Sequence, residues 1–199
     1  MPQVLPSFSA YLRRLPDGLD SYPDCKAKAT LYQSFIDTEA LAQMHVMPPP
    51  LQRLLEHPPP ISAWIPEVHS HALLHASRDL FFDSDKAYLQ QAYDNQRALF
   101  SGPLYRIMLA VASPKLLFRA ASTRWNSFHR GAHFQVDAMA PGSARLRIEH
   151  EPHLWDSLMA DAMMRGLEAV LHLSGAADAK LVAAEQTPTK ILVQATWTG

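Results

Sequence analysis

Cations and aromatic residues are concentrated between positions 115 and 133 of the sequence. Guanidinium groups bind carboxylates and phosphates through paired hydrogen bonds, and they also stack on aromatic rings. The cluster therefore predicts a site for an acidic or amphiphilic small molecule. In the alternative interpretation, Arg119 and Arg130 neutralise helix ends and nearby acids, while Trp125 and Phe128 belong to the core. The predicted ligand-binding residues are Arg119, Arg124, Trp125, Phe128, His129 and Arg130.

A second group with chemical potential is His71, His75 and Asp79, which follow one another at intervals of four residues. This spacing places all three on one side of a helix, and imidazoles with a carboxylate are adequate ligands for zinc or iron. The sequence lacks the glutamate that a zinc protease carries beside its first histidine. We therefore expect a partly exposed, metal-free helix edge, with metal binding as the alternative.

A haem site needs an axial histidine in an apolar pocket. His129, His133 and His172 each meet this requirement loosely, but none stands in a Cys-x-x-Cys-His context. We expect no cofactor, and haem or zinc is the alternative.

Nucleophilic catalysis has little support. Cys25 is the one cysteine and has no histidine close to it in the sequence. The sequence contains no Gly-x-Ser-x-Gly motif, no glycine-rich phosphate loop and no paired carboxylates. We expect a protein that is not an enzyme, with an enzyme of unknown reaction as the alternative.

Composition limits the class of protein. The 199 residues are 48% hydrophobic and carry 18 basic and 19 acidic side chains, for a formal charge of -1. Such a balance disfavours general binding to nucleic acid or to anionic membranes. No apolar run reaches the length of a membrane span, and the chain opens on no secretion signal. With a single cysteine we expect a cytoplasmic protein without internal disulfides.

The N-terminal part of the sequence has mostly helical periodicity. We expect one domain over 1–199, consisting of a proline-rich helical arm (1–60), a helical layer (61–130) and a sheet region (131–199). Two triple prolines, Pro48 to Pro50 and Pro58 to Pro60, are interpreted as rigid bends around a short helix, or alternatively as a docking motif. The predicted helices cover 7–15, 24–43, 51–57, 66–82, 85–100, 104–112 and 114–125.

The period changes at His129-Arg130-Gly131, where helix is expected to pass into sheet through a turn. Two hairpins, 134–149 and 180–197, flank an amphipathic helix at 153–174. This ββαββ order predicts an α+β fold with a helical N-terminal half packed on an antiparallel sheet of at least four strands. The residues expected on its covered face are Phe134, Val136, Leu146, Ile148, Ile191 and Val193.

The sequence from Asp79 to Trp197 resembles a family of uncharacterised myxobacterial proteins of about this length. The likeness rests on layout and on short pieces at 113–115, 119–121, 125–126, 174–176 and 196–197, which read SPK, RAA, WN, SGA and TW. The order of helices and sheet is also similar to vinyl-reductase-like and haem nitric-oxide-binding domains. That resemblance implies a small-ligand pocket between helices and sheet, and it identifies no catalytic residues in this sequence.

These observations together predict a non-enzymatic small-molecule-binding or regulatory domain with a sensor-like role. The ligand would be small and apolar or amphiphilic. An enzyme of unknown reaction and a structural interaction module are the alternatives, and a protein partner or homodimer is left open.

Overall fold

The structure is a computed structural model that describes residues 5–101 and 113–198. The fold is α+β, with helices in the N-terminal half and a four-stranded antiparallel sheet in the C-terminal half, as the sequence predicts. The chain divides into two compact units. The N-terminal unit comprises the described residues up to Asp85 together with Phe128–Gly131, and the C-terminal unit comprises those within Lys86–Ser127 and from Ala132 onward. No helix of the described residues is long and apolar enough to cross a membrane.

The N-terminal unit combines short helices with one longer helix and a small sheet. Its first helix begins at a proline whose fixed φ suits a helix start, and its N-terminal amide group at Phe8 donates to Asp79 Oδ2 at 3.0 Å. The helices are α1 (Pro6–Arg14), α2 (Thr30–Gln33), α3 (Thr38–Gln43), α4 (Pro49–Glu56) and α5 (Glu67–Phe81).

A three-stranded antiparallel sheet, not predicted from the sequence, completes this unit. Its strands are β1 (Lys26–Lys28), β2 (Trp64–Pro66) and β3 (His129–Arg130), in the order β2-β1-β3. The prediction of one helix over 24–43 is therefore wrong, because β1 pairs on both sides with distant segments. The predicted turn at His129-Arg130-Gly131 is also wrong in part, since its first two residues form β3.

The C-terminal unit contains the long hairpins. The helices are α6 (Asp85–Phe100, whose first residue falls in the N-terminal unit), α7 (Pro114–Arg124) and α8 (Ser157–Leu173). The strands are β4 (His133–Ala140), β5 (Ser143–Glu149), β6 (Lys180–Thr187) and β7 (Lys190–Thr196). The predicted helix over 104–112 lies outside the described residues.

The four-stranded sheet has the order β4-β5-β7-β6. Phe134, Ile148 and Ile191 lie opposite one another across three strands. Val136, Leu146 and Val193 form the next such row. Partners in antiparallel strands point to the same side, so the six residues predicted for one face do share it. Leu146, Ile148, Ile191 and Val193 have no exposed surface, which makes this face the centre of the unit's core.

Candidate functional site

A cavity of about 480 Å³ lies between α7 and β4 in the C-terminal unit. Ser113 caps α7 by accepting from the amide of Leu116 at 3.3 Å, and Pro114 occupies its first turn. Arg119, Ser122 and Thr123 line the cavity from this helix because residues three and four apart share a face. The opposite wall is 136–139 of β4, where a bulge interrupts the pairing with β5. One predicted site residue, Arg119, thus belongs to a cavity wall.

The charges on the cavity wall are unequally partnered. Asp137 is bound to Arg147, whose Nη2 atom lies 3.0 Å from the carboxylate. Arg119 is exposed, and within the described residues its guanidinium has no ion pair. The hydroxyl of Thr123 donates to the Arg119 carbonyl at 2.9 Å, and that of Ser122 to the Phe134 carbonyl at 3.4 Å. Arg119 is therefore the wall residue best suited to receive an anion.

Arg124 and Trp125, at the end of α7, have different surroundings. Arg124 is exposed and does not line the cavity. The indole Nε1 of Trp125 donates to the carbonyl of Ala132 at 2.8 Å. Its rings stack on Phe134 and tilt against Trp155, with centroids 5.1 and 5.7 Å away. Trp125 is a packing residue here, as the alternative interpretation of the sequence proposed.

The other three predicted residues, Phe128, His129 and Arg130, belong to the N-terminal unit. Phe128 is 41% exposed, and its carbonyl accepts from the amide of Lys28. Arg130 is exposed on β3, with its guanidinium carbon 4.1 Å from the centroid of the Trp64 ring. His129 is buried. The predicted cluster is thus divided equally between the two units.

A buried polar cluster that the sequence did not reveal surrounds Glu67, the first residue of α5. The Glu67 side chain has no exposed surface, and its Oε1 atom lies 2.8 Å from His129 Nδ1 and 3.8 Å from His71 Nε2. Tyr11 of α1 contacts His71 edge-on and stacks on His75 at 4.8 Å. The i, i+4 spacing of Glu67 and His71 was visible in the sequence, whereas the pairing with His129 spans 62 positions.

The side chains of the candidate metal ligands His71, His75 and Asp79 are buried, so the prediction of a partly exposed helix edge is wrong. His71 and His75 are 5% and 2% exposed, and the Asp79 side chain is fully covered. They face α1, since Asp79 accepts from the amide of Phe8 and both imidazoles contact Tyr11. No group of three or more possible ligands in the described part of the chain is arranged to hold a metal ion.

The three histidines considered for haem are also engaged or exposed. His172 uses both ring nitrogens, with Tyr93 Oη 2.8 Å from Nδ1 and the Ala179 carbonyl 2.9 Å from Nε2. His129 is bound to Glu67, and His133 is exposed on β4. The cavity wall beside α7 contains no histidine. These residues do not fit a histidine-ligated haem.

Comparison with known proteins gives a likeness of fold. No protein-family model matches the sequence, and no curated protein matches it either. A solved structure described as "Probing the function of heme distortion in the H-NOX family" superposes with a TM-score of 0.55 over 86% of this chain and 95% of that chain. Sequence identity is 8%, so the likeness concerns the fold alone. The predicted similarity in layout to haem nitric-oxide-binding domains is confirmed at this level, and the chain shares its fold with an H-NOX protein.

Proposed function

We propose that this protein is a non-enzymatic, sensor-like domain that binds a small amphiphilic anion in the cavity between α7 and β4. The observation that carries the proposal is the exposed guanidinium of Arg119 on the wall of a cavity of about 480 Å³. Small-ligand sites commonly have volumes of roughly 300 to 1,000 Å³ and combine apolar walls with a few polar groups. The cavity falls within that range and is open to solvent on one side, so part of a bound ligand would remain exposed.

The walls suit a ligand with a charged head and an apolar body. Arg119 offers a planar fork of donors that matches a carboxylate, and the paired hydrogen bonds are charge-assisted. Val136 and Met139 line the opposite wall and are half-buried, so a ligand covers apolar surface that is now partly exposed. Asp137 does not repel an anion strongly, because Arg147 neutralises its carboxylate.

The fold likeness supports a ligand-binding role without identifying the ligand. The description of the similar H-NOX structure refers to haem distortion. In this chain, however, His129, His133 and His172 do not place an available axial ligand in a cavity. The ligand class therefore depends on Arg119 and its neighbours.

A thermal-shift and calorimetric titration with medium-chain fatty acids and aromatic carboxylates tests this proposal. Wild-type protein is compared with Arg119→Gln and with Arg124→Gln. The second variant is a matched control, because Arg124 is an exposed arginine of the same helix that does not line the cavity.

We expect at least one acid to stabilise the wild type and the Arg124→Gln variant equally, and to bind Arg119→Gln about tenfold more weakly, since a charge-assisted pair is lost. The neutral alcohol of the same acid should show no difference among the three proteins. The proposal fails if no acid binds the wild type, or if Arg119→Gln binds every acid as well as the control does.

A further inference from the structure

One face of the three-stranded sheet in the N-terminal unit concentrates positive charge. Lys26 lies opposite both Pro66 and Arg130, and Lys28 lies opposite Trp64. Partners in an antiparallel sheet point to the same side, as do residues two apart in one strand. Lys26, Lys28 and Arg130 therefore share a face with Trp64, and we call these four residues the cationic face.

The opposite side of the same sheet is buried. Ala27, Ile65 and His129 are 1%, 4% and 7% exposed. Arg130 is exposed, and Lys26, Lys28 and Trp64 are half-buried. The sheet thus has one side in the core of its unit and the cationic face directed outward.

Two of the cations are held in place by the indole. Lys28 Nζ and the guanidinium carbon of Arg130 each lie 4.1 Å from the centroid of the Trp64 ring. Lys28 Nζ also donates to the carbonyl of Ser62 at 2.5 Å. Such contacts reduce the side-chain entropy that a long cation loses when it binds a partner. The charges are therefore ordered before any ligand arrives.

No carboxylate belongs to the cationic face, because the strands β1, β2 and β3 read KAK, WIP and HR. Asp20 is an acid that acts on this region, through its electrostatic effect on His69, which Lys26 opposes. Asp24 is also exposed, two positions before Lys26. Two aspartates near three cations still leave an excess of positive charge.

We propose that the cationic face binds an extended, acidic segment of a protein partner. Residues two apart in a strand are separated by about 6.8 Å, and alternate side chains of an extended peptide have the same spacing. Carboxylates at alternate positions of such a peptide can therefore reach Lys26 and Lys28 together, while Arg130 on the neighbouring strand receives another. The site shares no residue with the cavity beside α7 and does not depend on it.

Nucleic acid fits this face less well than an acidic peptide does. Single-stranded nucleic acid is bound largely by stacking of bases on open aromatic rings. Lys28 and Arg130 already lie over the Trp64 ring, and the whole chain has a formal charge of -1. An acidic peptide needs only the positive charges and no open aromatic ring.

Fluorescence polarisation with the full chain tests the proposal. The probe is a fluorescein-labelled peptide that alternates Glu and Ser, compared with one that alternates Lys and Ser and with labelled oligothymidylate. The test variants are Lys26→Gln, which leaves both Trp64 contacts in place, and the double variant Lys28→Gln/Arg130→Gln. The matched control is Arg13→Gln/Arg53→Gln, which removes two exposed charges from helices of the same unit.

We expect the acidic peptide to bind the wild type and the control equally, and the double variant about tenfold more weakly, with Lys26→Gln in between. Binding should weaken as salt is added, since exposed charges are screened. The proposal is overturned if the acidic peptide does not bind, if the control loses as much affinity as the double variant, or if oligothymidylate binds more tightly. Lys26→Gln leaves the contacts with the Trp64 indole intact. If this folded variant binds the acidic peptide as tightly as the wild type does, the proposal is also contradicted.

Discussion

Among the described residues, each of the two units buries one glutamate, but the partners of the two carboxylates differ. In the N-terminal unit, Glu67 lies against the imidazoles of His129 and His71. In the C-terminal unit, Glu168 of α8 accepts from the amide of Leu181 at 2.8 Å and pairs with Arg165. Guanidinium is always charged, whereas imidazole is charged only when protonated. One unit therefore pairs its buried carboxylate with a guanidinium, and the other places its buried carboxylate between two imidazoles.

The two sheets differ in the same sense. The four-stranded sheet is built from hairpins of seven- and eight-residue strands and buries rows of aliphatic side chains. The three-stranded sheet joins strands of two or three residues from distant parts of the sequence. Its inner side is completed by the bond between His129 and Glu67. Apolar burial thus dominates one unit, and buried polar contacts contribute more to the other.

Replacing Glu67 by Ala should have the largest effect. The buried imidazole of His129 loses its hydrogen-bond partner and that of His71 loses a carboxylate 3.8 Å away. Removing one member of a buried polar pair costs about 3 to 5 kcal/mol. Glu168→Ala should cost less, about 1 to 3 kcal/mol, because Arg165 is partly exposed and can be rehydrated while only the Leu181 amide is left unpaired. Urea unfolding followed by circular dichroism measures both values. If Glu168→Ala proves the more costly, the buried cluster is not the critical polar contact.

Trp125→Ala is expected to destabilise the C-terminal unit by about 3 kcal/mol, since loss of a large packed ring leaves a cavity. The half-buried indole also loses its hydrogen bond to Ala132. Trp125→Phe should retain most of the packing, so its smaller loss of stability should reflect only the missing hydrogen bond. Equal losses in the two variants would show that stacking on Phe134 and Trp155 contributes little.

Two glycines with positive φ allow a matched comparison. Gly131 has φ +87° and a Cβ built on it would lie 2.5 Å from Cys25 Sγ, whereas Gly175 has φ +99° and open space around it. Gly175→Ala should cost about 1 kcal/mol for the backbone strain. Gly131→Ala should cost about 2 to 3 kcal/mol, because Cys25 must also move. Similar values in thermal unfolding would mean that the backbone at Cys25, just before β1, shifts easily.

The smallest effect concerns pH. Burial lowers the pKa of His69, more than the carbonyl of Leu19 and the charge of Asp20 raise it. The folded state therefore binds this proton less readily than the unfolded chain, so the stabilisation is complete above the unfolded value and is lost as the pH falls. His69→Gln should flatten the decline in unfolding free energy between about pH 7.5 and pH 5.5. The prediction fails if the unfolding free energy of the His69→Gln variant declines as steeply as that of the wild type over this interval.

The long elements could be predicted because their signals are local. Leu146 and Ile148 alternate with arginines along β5, and Ser113-Pro114 marks the start of α7. Strand β1 is too short for this, since three residues of alternating burial also fit a helical pattern. The alternation of Cys25, Ala27 and Ala29 was the available signal, and all three are buried.

The candidate sites were predicted only in part for a related reason. Arg119 and Arg130 were predicted as ligand-binding residues, and both are exposed, but their neighbours come from elsewhere in the chain. Trp64 lies 66 positions from Arg130, and the wall opposite Arg119 depends on a bulge in β4. The two arginines were grouped because they are close in the sequence. In the fold they belong to different units and have different neighbours.

Phe128–Gly131 belong to the N-terminal unit although they follow much of the C-terminal unit in the sequence, and this affects how the protein folds during synthesis. On the ribosome, β1 and Glu67 emerge well before the strand that supplies His129. Until then the edge of β1 lacks a partner, and such edges invite mispairing. We expect a force-sensing arrest assay on nascent chains to register completion of this unit only after residue 131 has left the exit tunnel. Most of the N-terminal unit is therefore synthesised first, but the unit cannot complete its folding until β3 has been synthesised.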